Sequence, residues 1–135
     1  MSIKQIQPLY LIVGDQQVSP CDHETYRRFK LWLVSTHGSG KIDSFEQENI
    51  TIEHWDDQAA GSYPYLMNPC ECGTFLPIDL QQPGPMFSSS TGLLADMISL
   101  KQHYNGMEPE FQNIVDQLFQ MAELSVDSKT ALEIR

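Results

Sequence analysis

Six apolar residues near the end of the chain, Phe111, Ile114, Val115, Leu118, Phe119 and Ala122, recur at i, i+3, i+4, i+7, i+8 and i+11. That is the spacing of one face of an α-helix. Pro109 stands where the first turn begins, a position that loses nothing from the missing N–H of proline. The opposite face carries Glu110, Asn113, Gln117 and Gln120. A one-sided helix cannot bury its stripe alone, so the chain must supply a second layer to receive it.

A second helix is predicted immediately before. Ser88, Ser89, Ser90 and Thr91 offer N-caps, and Leu93, Leu94, Met97, Ile98, Lys101 and Tyr104 keep helical spacing up to a stop at Asn105-Gly106. The earlier part of the chain reads mainly as strands. Leu9 to Val13 is short, apolar and closed by Gly14-Asp15. Asn49 to Trp55 alternates, and the Gly38-Ser39-Gly40 turn would pair it in a hairpin with the run before it.

Thr74 to Leu80 is a further strand, which Pro77 pushes toward a sheet edge or a bulge. Ser19-Pro20 is placed to open a helix, with Asp22 and Glu24 in its first turn. Phe29 to Val34 fits both periods. Its aromatic and β-branched residues favour a strand. The tail from Asp127 to Arg135 is a short strand or a frayed end. Strands first and helices last predict an α+β fold: a mainly antiparallel sheet of about four to five strands, packed with two C-terminal amphipathic helices. A chain of 135 residues fits a single domain over 1–135.

Charge narrows the function. The formal net charge is −10, a field that repels phosphate backbones and anionic lipids. The nearest basic run is Arg27-Arg28 with Lys30, short of the stripe a nucleic-acid binder uses. No apolar run approaches a membrane span, and Leu9 to Val13 is too short for a signal core. Three cysteines are an odd number for a secreted disulfide framework, so a cytoplasmic location with reduced thiols is expected. No nucleic-acid or membrane partner is expected; a basic protein partner is.

The sharpest constellation of chemical groups is Cys21, His23, Cys70 and Cys72. Zinc takes four N or S ligands in a tetrahedron, and two ligands one residue apart share a face of an extended segment. Zinc pairs usually stand two to four residues apart, however, and neither Cys21/His23 nor Cys70/Cys72 has that spacing. The other reading makes the cysteines small buried apolar groups. His54, between Glu53 and Asp56, has the company of a general base, but alternation sets it with Ile50 and Ile52, where a core or edge histidine is the ordinary case. Gly38-Ser39-Gly40-Lys41 lacks the upstream glycine and the following Ser or Thr of a phosphate-binding loop. No nucleophile elbow, zinc-protease helix or dinucleotide fingerprint is present in the sequence.

Tyr63-Pro64-Tyr65-Leu66-Met67-Asn68 leads through Cys72-Gly73 into Leu76-Pro77-Ile78-Asp79 and then Ser89-Ser90-Thr91-Gly92. This order resembles that of small bacterial proteins, which implies a bacterial origin and no particular activity. Prolines and aromatics stiffen the segment, so Tyr63, Tyr65, Met67 and Phe75 are candidate partner-binding residues. They are equally suited to packing on their own sheet. Two functional expectations follow. One is a non-enzymatic protein-binding domain, immunity-like, antitoxin-like or regulatory. The other is a zinc domain, structural or hydrolytic, built on Cys21, His23, Cys70 and Cys72.

Overall fold

The computed structural model describes residues 7–37, 63–67, 73–81 and 86–135. Strand β1 (Pro8–Val13) buries Leu9, Leu11 and Val13 on one face. A turn at Gly14-Asp15 returns the chain as the antiparallel strand β2 (Gln16–Asp22). The register slips between Leu9↔Cys21 and Leu11↔Val18, so Tyr10 faces a bulge containing Ser19 and Pro20. A proline has no N–H to give the ladder, and a bulge on an edge strand is where that costs least. The Tyr10 backbone pairs on its other side with Arg135, at 2.7 and 2.9 Å.

Helix α1 (His23–His37) follows directly. This corrects two expectations. Ser19 and Pro20 lie in β2, and the cap is Asp22, whose Oδ1 accepts the Thr25 N–H at 2.6 Å. Phe29 to Val34 is helix, not strand. Its local alternation yields to the helical pair Phe29 and Leu33, both fully buried. The Phe29 and Trp32 rings pack on Phe111, with centroids at 5.5 and 5.8 Å. Tertiary burial thus overrides a β-prone composition. The Asn49–Trp55 strand and the Gly38–Lys41 turn lie outside the described residues.

A short helix, α2 (Pro64–Met67), precedes β3 (Thr74–Leu76). The predicted strand to Leu80 ends early because Pro77 cannot continue the ladder. The Ile78 N–H turns back onto the Leu76 carbonyl at 2.8 Å. Gly73, just before β3, has φ +65°, and a Cβ there would collide with the Ile134 carbonyl oxygen. Its own carbonyl accepts the Ile134 N–H at 2.9 Å, so this close backbone approach requires glycine.

The two-residue strand β4 (Ser88–Ser89) runs into α3 (Ser90–Leu100), which continues as a 3₁₀ turn over Lys101–Gly106. Ser89 caps α3, its Oγ accepting the Gly92 N–H at 3.0 Å. Helix α4 (Pro109–Ser128) buries Phe111, Ile114, Val115, Leu118 and Ala122 of the face its spacing predicts, with Met121 buried beside them. Phe119 lies at the margin, with Lys101 Nζ 4.2 Å from its ring centroid. Of the face expected on α3, Leu93 and Met97 are buried, while Ile98 is 54% exposed.

Strand β5 (Leu132–Ile134), last in sequence, lies in the middle of the sheet, whose order is β2-β1-β5-β3-β4. Every pairing is antiparallel except β3 with β4. Val13, Leu132, Phe75 and Ser88 stand side by side across four strands and form one buried row. The α+β class and mainly antiparallel sheet are those expected. The two expected helices lie in the C-terminal half, and α1 and the short α2 stand beside them.

Candidate functional site around Asp96

Every described acidic side chain is exposed or partly exposed except Asp96, which is 7% exposed. It lies on α3 one turn beyond Gly92, on the same face. That face meets α2. Asp96 Oδ2 accepts the N–H of Tyr65 at 2.8 Å and the N–H of Leu66 at 3.0 Å. These donors belong to the first turn of α2, where the helix itself offers no acceptor.

Three further contacts fix the same corner. The Tyr65 ring lies against Gly92, and a Cβ there would come within 2.5 Å of it. The Tyr65 hydroxyl donates to the Leu80 carbonyl, and the Ser89 hydroxyl donates to the Ile78 carbonyl. Helix α2, the start of α3 and the stretch after β3 are therefore laced together around one carboxyl group.

Burial pushes the Asp96 carboxyl up to about 6, against the downward pull of the Leu66 and Tyr65 N–H bonds. Burial also raises Tyr63 and Tyr65, and the nearby Asp96 charge adds to the rise in both; Asp79 adds further at Tyr65. A carboxyl that exchanges its proton near neutral pH in a packed corner is the kind of perturbed group that marks functional sites.

The residues singled out from sequence are placed as follows. Cys21 is half-buried in β2, and His23 is exposed as the first residue of α1, so the chain turns from strand to helix between them. The Cys21 thiol is pushed up to about 12, by burial first and then by Asp22 and Glu110, with Arg28 acting the other way. Metal binding needs the thiolate, which these neighbours oppose. Cys70 and Cys72 lie outside the described residues. Among the described residues no group of three or more His, Cys, Asp or Glu is arranged to hold a metal ion.

Tyr63 and Phe75 are core residues, 3% and 1% exposed, and Tyr65 is half-buried in the Asp96 corner. The Met67 side chain and His54 lie outside the described residues. Asp96 itself carries little sequence signal. Its one mark is that it is a lone acid in the apolar run Leu93-Leu94-Ala95-Asp96-Met97-Ile98, four residues after a glycine.

The other described acids lie exposed or partly exposed at the surface. Arg28 pairs with Glu110 at 3.4 Å, Lys101 with Asp116 at 3.7 Å and Arg135 with Glu133 at 3.1 Å. Such exposed pairs contribute little to stability, on the order of 0–1 kcal/mol each. Asp116, Glu123 and Asp127 follow one side of α4 at intervals of seven and four residues, which makes an acidic stripe along the longest helix. Among the described residues no helix is long and apolar enough to cross a membrane. Compared with protein-family models, curated proteins and solved structures, the chain matches none.

Proposed function

We propose that this is a protein-binding domain without catalytic chemistry of its own, which holds a basic protein partner on its acidic surface, as an immunity protein, antitoxin or regulatory domain does. The supporting observation is the stripe Asp116, Glu123 and Asp127 on the outer side of α4, in a chain of net charge −10. Lys101 neutralises Asp116 in part. Glu123 and Asp127, both exposed, pair with no cation among the described residues. A mainly acidic stripe of this kind speeds encounter with an oppositely charged partner and disfavours acidic competitors. The same field argues against nucleic acid as the partner.

The test uses charge reversal. A partner captured with the full chain should be basic, and its association rate should fall steeply with added salt, because screening acts on exposed charges. Glu123→Lys with Asp127→Lys should slow association by about tenfold at low salt while leaving the thermal midpoint nearly unchanged. A partner whose association ignores both salt and the charge reversal would contradict this reading.

A further inference from the structure

The Tyr63–Met67 segment is held by its buried side chains Tyr63 and Leu66, by the Tyr65 hydroxyl on the Leu80 carbonyl and by one oxygen of the Asp96 carboxyl. We propose that Asp96 is a pH-sensitive latch, which holds this segment against α3 in acid and slackens as its carboxyl ionises. The latch is independent of the binding role proposed above.

Both α2 N–H groups bond to the same oxygen, Oδ2. Oδ1 can therefore carry a proton without giving up either bond. The neutral carboxyl keeps both contacts and sheds the cost of burying a charge. The ionised carboxyl gains stronger bonds but must stay out of water, and here burial outweighs the two bonds.

Opening the latch returns Asp96 to solvent and to its ordinary midpoint of 3.8, against about 6 when closed. A carboxyl raised in the closed form favours closure fully below the lower value, and the preference is lost as pH rises through the higher one. A difference of about two pH units amounts to roughly a 100-fold change in the closing equilibrium.

Among the described residues the surroundings do not cancel the effect. Tyr63, just before α2, and Tyr65, within it, lie near Asp96, both with hydroxyls raised by burial and by its charge. Asp79 lies beyond Tyr65 and is also negative when ionised. Lys101, past the end of α3, is engaged with Asp116 of α4. Among the described residues no cation bonds to Asp96.

Amide hydrogen exchange of the full chain reads the latch directly. The protection of the Tyr65 and Leu66 amides, corrected for intrinsic rates and compared with Leu118, should fall by up to about 100-fold from pH 4 to pH 8. In Asp96→Asn, which keeps an acceptor oxygen and loses the charge, protection should stay at the low-pH level throughout. Gly92→Ala, which displaces Tyr65, should leave both amides weakly protected at every pH. Flat protection in the native protein, protection that rises with pH, or an unchanged slope in Asp96→Asn would overturn the proposal. The native profile stands without either variant if one fails to fold.

Discussion

The ring of Tyr65 rests on Gly92 so closely that a Cβ at position 92 would lie 2.5 Å from three of the ring carbons. No real side-chain contact is that short, so Gly92→Ala must move the ring. The move breaks the hydroxyl bond to Leu80 and disturbs the N–H bonds to Asp96. Gly92→Ala should cost about 1–3 kcal/mol in urea unfolding, although alanine is the better helix former. A stabilised variant would mean the ring has another resting place.

The pH dependence of stability has a definite sign. Asp96 is raised in the folded chain, to about 6 from 3.8. Its contribution to stability is therefore fully present below 3.8 and lost as pH rises through about 6. Asp96→Asn should accordingly stabilise the protein at pH 7.5 by roughly 1–3 kcal/mol, and the gain should shrink toward zero by pH 4. Chemical denaturation of both proteins at the two pH values checks this. Destabilisation at pH 7.5 would show that the two hydrogen bonds outweigh burial.

Ser88 ends the buried row that begins with Val13, Leu132 and Phe75. Its hydroxyl is fully buried and has no partner among the described residues. The neighbouring serines are satisfied. Ser125 donates to the Thr130 carbonyl, so its one proton is used and Ser90 supplies the hydrogen bond between the two hydroxyls, 2.8 Å apart. Ser88→Ala should therefore be neutral or stabilising, by about 1 kcal/mol, in thermal or urea unfolding. A loss of stability would show that the hydroxyl has a partner.

Cys21 should be a slow nucleophile. With its thiol pushed up to about 12, little thiolate exists at neutral pH. Alkylation by iodoacetamide, mapped by peptide mass spectrometry, should be slower at Cys21 than at a free cysteine by on the order of 100-fold. Labelling as fast as the free amino acid would contradict the surroundings assigned to it.

Long-range helical periodicity was legible in the sequence. The α4 stripe from Phe111 to Ala122 and the serine cap before α3 fall where their spacing places them. Leu9 to Val13 is likewise a strand, because a short apolar run before Gly-Asp has few other uses. Phe29 to Val34 is misleading in sequence because its two periods compete over six residues, and the deciding contact, Phe29 on Phe111, spans more than eighty residues of chain. The Asp96 corner was not legible for the same reason. Nothing local to Asp96 announces that the backbone of Tyr65 and Leu66, about thirty residues earlier, will arrive to use its Oδ2.

The central claim is that a buried carboxyl holds this corner and titrates close to neutral pH. The ¹³C shift of the Asp96 carboxyl, followed from pH 3 to pH 9, tests it most directly. A midpoint near 6 in the native protein, returning to about 3.8 in urea, is the expected result. A native midpoint at or below the ordinary value would mean that the hydrogen bonds dominate burial, and the latch would then close on ionisation instead of opening.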